Sequence, residues 1–436
     1  MNESNDYSEL KISDSELVSW PRIASISAMI SFSLPTFITG LEIQQALTVH
    51  DALLALLIGS FLLIFIGGIM GTIGIKSRLS SYLLVRIAFG NTGAAIVNIA
   101  FAISLLGWFG VNIDLFSDAV LRLLNAQFNI IIPEWPIEVF AGICMITTTL
   151  YGFKAINIIS TLLIPVLVLV TIKMFVGSLE EMSIVQYWVL EKTSTLSLSE
   201  GVASIVGVII IGAIILPDIA RFSKQKSGGF QIAFWSYGAA QLLVLFVTGF
   251  SASASGITDV LDLMLSLNLG LLAFVIIITG CWVLNSLNLY STTLSITATF
   301  PKLNQKIVTM VLGFIGVLAA FMNILDNFLS FLSFLSTIFV PVAGVIIVDF
   351  IFIKGHAYNL ETLANNRQFS IPAFIAWIMG ALISVLNGRY DWLNLTGISV
   401  LDAIFITGLV YVILVKASKK SSVSSKRSTS NESNKI

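Results

Sequence analysis

The feature that most constrains this chain is a series of apolar runs, each long enough to cross a bilayer as a helix. Only 11% of the 436 residues are charged, compared with about 25% in ordinary soluble proteins. The sequence therefore predicts an all-α polytopic membrane protein with about twelve transmembrane helices, whose surroundings are the lipid bilayer. The runs centre near residues 35, 62, 105, 144, 166, 210, 242, 280, 314, 340, 380 and 406.

The charged residues between the runs predict the orientation of the chain. An even number of spans puts both termini on one side, and cytoplasmic loops carry an excess of Lys and Arg. That excess follows every second run, at residues 76–86, 154, 221–226, 302–306, 354–367 and 416–420. We therefore expect residues 23–415 to lie in the plasma membrane and both termini to lie in the cytoplasm. Residues 1–22 form a cytoplasmic segment, and the Ser-, Lys- and Asn-rich tail, residues 416–436, is expected to be disordered.

The first run contains a helix breaker in its middle. Pro35 has no backbone N–H, and its ring displaces the carbonyl four residues earlier, at Ser31. In hydrocarbon such freed carbonyls persist only against protein or a wet cavity. The hydroxyls of Ser33 and Thr36 are candidates for lining that break. A Pro-kinked packing helix is the alternative interpretation.

The sixth run is interrupted in the same manner. Gly207, Gly212 and Pro217 divide it, and Asp218 follows directly. If runs one to five and six to ten form two halves, the first and sixth runs hold equivalent positions. Paired interruptions in equivalent helices are typical of the substrate sites of secondary transporters.

Polar residues inside the third and eighth runs are candidates for that site. Trp108 and Asn112 are four residues apart and share a helix face, so an aromatic plane lies beside an amide. Asn285 and Asn288 are three apart on the eighth run. A substrate-binding role and a helix-packing role are both open for these residues. Asp114 is an intramembrane carboxylate that serves packing or ion coupling, or lies near the outer surface.

The sequence excludes several other classes of function. It has no P-loop, no G-x-S-x-G elbow and no H-E-x-x-H motif, so we predict no enzymatic activity, no cofactor and no bound metal. No basic, aromatic-rich patch indicates nucleic-acid binding. Without a nucleotide-binding domain, transport is either driven by an ion gradient or runs downhill.

Several short motifs carry a resemblance to a known family. They are His50-Asp51, Gly74-Ile75-Lys76, the run from Arg86 to Gly90, Gly107-Trp108-Phe109-Gly110, the run from Asp218 to Phe222, Trp282 with Asn285 and Tyr290, and the segment from Asn327 to Asp349. Together they resemble the nucleobase–cation symporter family, most closely its cytosine permease branch, from about residue 23 to residue 414.

The resemblance implies a LeuT-type fold. Two inverted five-helix repeats, at about 23–177 and 200–354, would be followed by two extra helices at about 370–415. It also implies symport of a nucleobase or a related heterocycle such as cytosine, a purine, hydantoin or allantoin. The substrate would stack on Trp108 and bind amides of the third and eighth runs, including Asn112.

The chain departs from this family pattern at three places. Leu105 stands where cytosine permeases have Gln, and Ile209 stands where they have an aromatic residue, which indicates a larger or more apolar ligand. Val283 and Leu284 replace the two hydroxyl residues that supply oxygen ligands in sodium-coupled relatives. The resemblance therefore favours proton coupling over sodium coupling, with Glu42, Asp114 and Asp218 as candidate carriers.

Two alternative functions remain open from the sequence. One is a transporter of the same fold for another small solute, such as an amino acid or a vitamin. The absence of charge in the core of the first run favours a neutral planar ligand over a zwitterion. The other is a membrane receptor that binds a ligand without transporting it.

Overall fold

The computed structural model describes residues 12, 17–151, 153–266, 270–300, 302–322, 324–364, 366–390 and 394–433. Each of the twelve apolar runs lies in a helix of this structure. Apart from one isolated parallel bridge between Val18 and Ser223, the described residues contain no β structure. The helices of the first half are α1 (Trp20–Ser31), α2 (Leu34–Ala46), α3 (Val49–Ser77), α4 (Ser81–Phe89), α5 (Asn91–Phe128), α6 (Trp135–Leu150), α7 (Phe153–Glu181) and α8 (Ile184–Trp188).

The described residues of the second half form eleven further α-helices and three short elements of other pitch. They are α9 (Leu198–Ile214), α10 (Pro217–Ala220), α11 (Gly228–Ala233), a π-helix (Phe234–Ala240), α12 (Gln241–Ser255), α13 (Val260–Ser266), α14 (Gly270–Thr299), α15 (Gln305–Ala320), a 3₁₀ turn (Ile324–Asn327), α16 (Phe328–Val348), a π-helix (Asp349–Ile353), α17 (Leu360–Ala364), α18 (Ile371–Tyr390) and α19 (Ser399–Ser433).

Six helical segments in the described residues are long and apolar enough to span a membrane, and α1 with α2 makes a seventh as a bent pair. Three shorter apolar helices are Trp135–Leu150, Gln305–Ala320 and Ile371–Asn387. The polytopic character is thereby confirmed, while the count of twelve spans stays a prediction. The last helix continues to Ser433, into the tail for which the composition predicts disorder. A helix that is already nucleated adds residues without a new nucleation cost, which explains how polar residues can extend it.

The first span is broken, as its proline predicts. Helix α1 ends at Ser31 and α2 begins at Leu34, and the two helix axes differ by 54°. Pro35 lies in the first turn of α2, where its missing N–H would have no helical partner in any case. The break therefore lies two residues before the proline.

Of the interruptions predicted for the sixth span at Gly207, Gly212 and Pro217, the glycines do not break the helix, whereas the helix does end before the proline. Helix α9 runs without interruption through Gly207 and Gly212 and ends only at Ile214, just before Pro217. The carbon that alanine would add at position 207 lies 1.9 Å from the carbonyl oxygen of Leu332 on α16. Gly207 thus allows two helix backbones to approach closely, which is the usual role of small residues between membrane helices.

The interior is built from a few large helix pairs. Helix α5 packs along α14, α9 packs between α3 and α16, and α12 packs along α2. The backbone of α2 reaches α12 closely at Gly40, where an added carbon would lie 2.6 Å from the carbonyl oxygen of Leu245. These contacts place the broken first span and the polar residues of α5 and α14 inside the bundle.

Candidate functional site

The break between α1 and α2 is closed by local hydroxyl groups. The Ser33 hydroxyl donates to the Ile30 carbonyl at 2.6 Å, and the Thr36 hydroxyl reaches the same oxygen at 3.3 Å. The Ser31 hydroxyl donates to the backbone carbonyl of Ser236, in the π-helix of the seventh span, at 2.8 Å. Ser33 and Thr36 therefore satisfy the broken backbone, which membrane surroundings require.

Trp108 lies on α5 and is 7% exposed. Its ring stands nearly perpendicular to Phe331 at 5.3 Å and to Phe328 at 6.2 Å, between ring centroids. Both phenylalanines are at the start of α16, which therefore covers this part of α5. The sequence interpretation missed them, although their i, i+3 spacing puts them on one helix face. In the part of the chain that the structure describes, no ring stacks flat on Trp108.

Asn112 is fully buried one turn after Trp108. Its amide nitrogen donates to the Trp108 carbonyl at 2.7 Å, and its side-chain oxygen has no hydrogen-bond partner among the described residues. The opposite amide orientation would bring two oxygens together, so the hydrogen bond fixes the oxygen as the free group. Asn112 thus presents a single buried acceptor, and leaving one unpaired costs about 1–3 kcal/mol.

The two asparagines of α14 have a different environment. Asn285 is fully buried and donates to the Phe109 carbonyl of α5 at 2.8 Å. Asn288 is half-buried and donates to the Asn285 side-chain oxygen at 3.4 Å. The first bond joins α14 to α5 at the residue that follows Trp108, whereas the second lies within α14. The helix-bonding interpretation accordingly has direct geometric support for Asn285.

The positions that depart from the family pattern are buried and apolar. Leu105 is 3% exposed and Ile209 is 1% exposed. Ile209 lies near the break of the first span, because the carbon that alanine would add at Gly212 approaches both Ile209 and Ile30. Val283 and Leu284 are also buried within α14.

The three candidate ion carriers lie in three different settings. Asp114 groups with Glu134 and Glu138, with one carboxylate oxygen of each residue within 4.8 Å of the others. Glu42 on α2 is half-buried, and its carboxylate has no hydrogen bond or ion pair within the described residues. Asp218 instead accepts hydrogen bonds from the backbone N–H and the hydroxyl of Ser81, at 2.7 and 2.9 Å, and so holds the start of α4.

Comparisons with known proteins agree with this architecture. A family model described as permease for cytosine/purines, uracil, thiamine, allantoin matches residues 20–410. The cytosine permease of Escherichia coli K12 is 25% identical over 417 residues, which cover 95% of each chain. The hydantoin permease of Microbacterium maritypicum is 23% identical over 426 residues, covering 90% of this chain and 84% of that protein.

A solved structure shows the same fold. It is the nucleobase-cation-symport-1 family transporter Mhp1 in a closed conformation with bromovinylhydantoin bound. The TM-score is 0.83 at 17% identity, and the match covers 95% of this chain and 96% of that one. The LeuT-type fold expected from the sequence is thereby supported, whereas the boundaries of the two repeats stay a prediction.

Proposed function

This chain belongs to the family of permeases for cytosine/purines, uracil, thiamine and allantoin, and from that premise we propose that it imports a small planar heterocycle across the plasma membrane. It is a multi-pass membrane transporter of nucleobase-like substrates and not an enzyme. The proposal concerns the ligand, the site, the coupling ion and the orientation. Both termini are placed in the cytoplasm on the distribution of Lys and Arg.

The observation that carries the proposal is the free acceptor of Asn112 one turn after Trp108, a buried ring that meets Phe328 and Phe331 edge-on and, among the described residues, has no ring stacked flat on it. A flat heterocycle with a ring N–H satisfies both groups, because it stacks on the indole and donates to the amide oxygen. Neither group gives a zwitterionic ligand a charged partner. The buried side chains of Leu105 and Ile209 favour a ligand that is larger or more apolar than cytosine.

We propose that the coupling ion is H⁺. Sodium needs several hard oxygen ligands, and Val283 and Leu284 supply none. The hydroxyl of Ser286 donates to its own helix at the Trp282 carbonyl, 2.9 Å away. Glu42 and Asp114 are the better placed carriers, because the carboxylate of Asp218 is already bound to α4.

The test combines ligand binding with transport. Purified protein is screened by thermal shift against nucleobases, hydantoins and allantoin, and the hits are tested as labelled substrates for counterflow in proteoliposomes. Binding without counterflow would instead identify a receptor. Trp108→Ala is expected to abolish uptake and to lose the ligand-induced thermal shift.

Trp377→Ala is the matched control. Trp377 also packs against aromatic rings, those of Phe89 and Phe374, but it lies on α18 and donates to the Ile338 carbonyl. This control is expected to lower the melting temperature and to keep the ligand-induced shift. Uptake by Trp108→Ala within twofold of wild type would show that Trp108 only packs.

A further inference from the structure

A second polar cluster lies at the outer end of the broken span, away from the Trp108 site. The segment between α8 and α9 folds over the last turn of α2 and binds its carbonyls. The backbone N–H groups of Thr195 and Leu196 donate to the Ala46 carbonyl at 2.8 and 3.2 Å. The ammonium of Lys192 donates to the Gln44 carbonyl at 3.3 Å. The end of α2 is therefore covered by chain that is not part of any span.

Gln44 leaves an unpaired donor under this cover. Its side chain is 3% exposed, and its amide oxygen accepts from the Tyr187 hydroxyl at 2.7 Å. Its amide nitrogen is buried and has no acceptor in the described part of the chain. Reversing the amide would leave the oxygen unpaired instead, so the Gln44 side chain is incompletely bonded in either orientation. A buried amide without a partner is unfavourable unless something fills the place.

Lys192 brings a positive charge to the backbone carbonyl of the same residue, Gln44. Its ammonium also donates to the hydroxyl of Ser253 on α12, at 3.1 Å. The side chain of Gln44 packs on Gly249, one helical turn before Ser253, so both residues border the same part of α12. Among the residues that the structure describes, no carboxylate lies within ion-pair distance of Lys192; the ion pairs found there all involve Arg122.

The polar groups of this cluster all have protons left to donate. The Gln44 amide nitrogen and the Lys192 ammonium can only donate, and the Ser253 hydroxyl is left with its proton to donate once it has accepted from Lys192. Burial lowers the pKa of Lys192, because desolvation disfavours its charged form. The negative end of the α2 dipole offsets part of that charge, but it provides no acceptor for Gln44. What the cluster lacks is a small acceptor with negative charge.

We propose that Gln44, Lys192 and Ser253 form a binding site for a small monovalent anion of the chloride type at the outer end of the broken helix. The bound anion joins α2 to the segment between α8 and α9 and to α12. The site is distinct from the substrate site, and its test does not depend on the identity of the transported heterocycle.

The experiment measures the thermal stability of the purified full-length protein without substrate, while sodium chloride replaces sodium gluconate at constant ionic strength. Wild type is expected to show a saturating rise in melting temperature of roughly 1–2 °C, as mass action requires for a site occupied only in the folded state. Lys192→Met, in the exposed segment, is expected to lose this rise. A wild type that melts at the same temperature in both salts would overturn the proposal and leave a water molecule as the occupant.

Gln44→Glu gives the sharper result. Its carboxylate supplies a fixed negative charge beside Lys192, so this variant is expected to be insensitive to chloride while remaining folded. Gln241→Glu is the matched control, because Gln241 is a fully buried glutamine on α12 with an unpaired side-chain oxygen. If it folds, it is expected to keep the chloride response. An undiminished chloride response in both Gln44→Glu and Lys192→Met would refute the assignment, even if wild type responds.

Discussion

Replacing Asn112 by leucine is expected to change ligand affinity and protein stability in opposite directions. Wild type without ligand contains a buried acceptor that lacks a partner, which costs about 1–3 kcal/mol. Leucine has a similar volume and removes that cost. It also removes the bond to the Trp108 carbonyl, worth about 0.5–1.5 kcal/mol, but that carbonyl keeps its helical partner. The ligand-free variant is therefore expected to be about as stable as wild type or more stable, by up to about 2.5 kcal/mol.

Ligand binding, in contrast, should become weaker in Asn112→Leu. If the ligand donates a hydrogen bond to the Asn112 oxygen, losing that bond weakens binding by about 1–3 kcal/mol. Because each 1.4 kcal/mol is a factor of ten, the dissociation constant should rise roughly 5- to 150-fold. The assay is calorimetric titration with the best ligand from the screen, alongside chemical or thermal unfolding of the ligand-free protein.

Asn98→Leu provides the control for this prediction. Asn98 lies on the same helix, is 1% exposed and also has an unpaired side-chain oxygen. It is about 21 Å from Asn112 along the helix axis, at 1.5 Å per residue. Its substitution should affect stability in a similar way and leave affinity unchanged. A less stable Asn112→Leu protein with unchanged affinity would refute the reasoning and show that Asn112 only joins helices.

Three further predictions concern packing, α4 and the coupling ion. Gly207→Ala places a carbon against the Leu332 carbonyl, so α9 and α16 must separate. The free energy of unfolding should fall by about 1–3 kcal/mol, and an unchanged melting temperature would argue against this close packing. Asp218→Ala leaves the Ser81 N–H unpaired and should lower stability by about 1–3 kcal/mol. Its uptake should retain the pH dependence of wild type, and losing that dependence would make Asp218 a proton carrier after all. Replacing sodium by choline should leave ligand affinity unchanged, and a proton uncoupler should abolish uptake. A tenfold higher affinity in sodium would contradict proton coupling, since an ion and a substrate that are coupled strengthen each other's binding.

The coupling-ion prediction illustrates how sequence and structure contribute. The sequence shows that Val283 and Leu284 lack hydroxyls, which is a local chemical fact. Only the structure shows that the Ser286 hydroxyl bonds within its own helix and that the Ile30 carbonyl already accepts from Ser33 and Thr36. The side chains of Val283 and Leu284 and the occupied Ile30 carbonyl disfavour a sodium site, whereas the Ser286 hydroxyl keeps its oxygen lone pairs. The state of the Ile30 carbonyl depends on where α1 ends.

Properties that a residue keeps in any environment could be read from the sequence alone. The apolar runs predict membrane helices because a bilayer requires each span to satisfy its own backbone. The break near Pro35 follows from a residue that lacks a backbone N–H and whose ring displaces the carbonyl four residues earlier. The pairing of Trp108 with Asn112 follows from helical spacing alone.

The tertiary structure decided which side chains and backbones meet. Gly207 gives the same local signal whether it breaks a helix or admits a neighbouring backbone, and only the position of α16 distinguishes the two. Asp218 resembles an ion carrier until Ser81, 137 residues earlier in the chain, proves to be its partner. The free acceptor of Asn112 and the free donor of Gln44 are likewise invisible in the sequence, because a polar group is unpaired only relative to neighbours that folding brings to it.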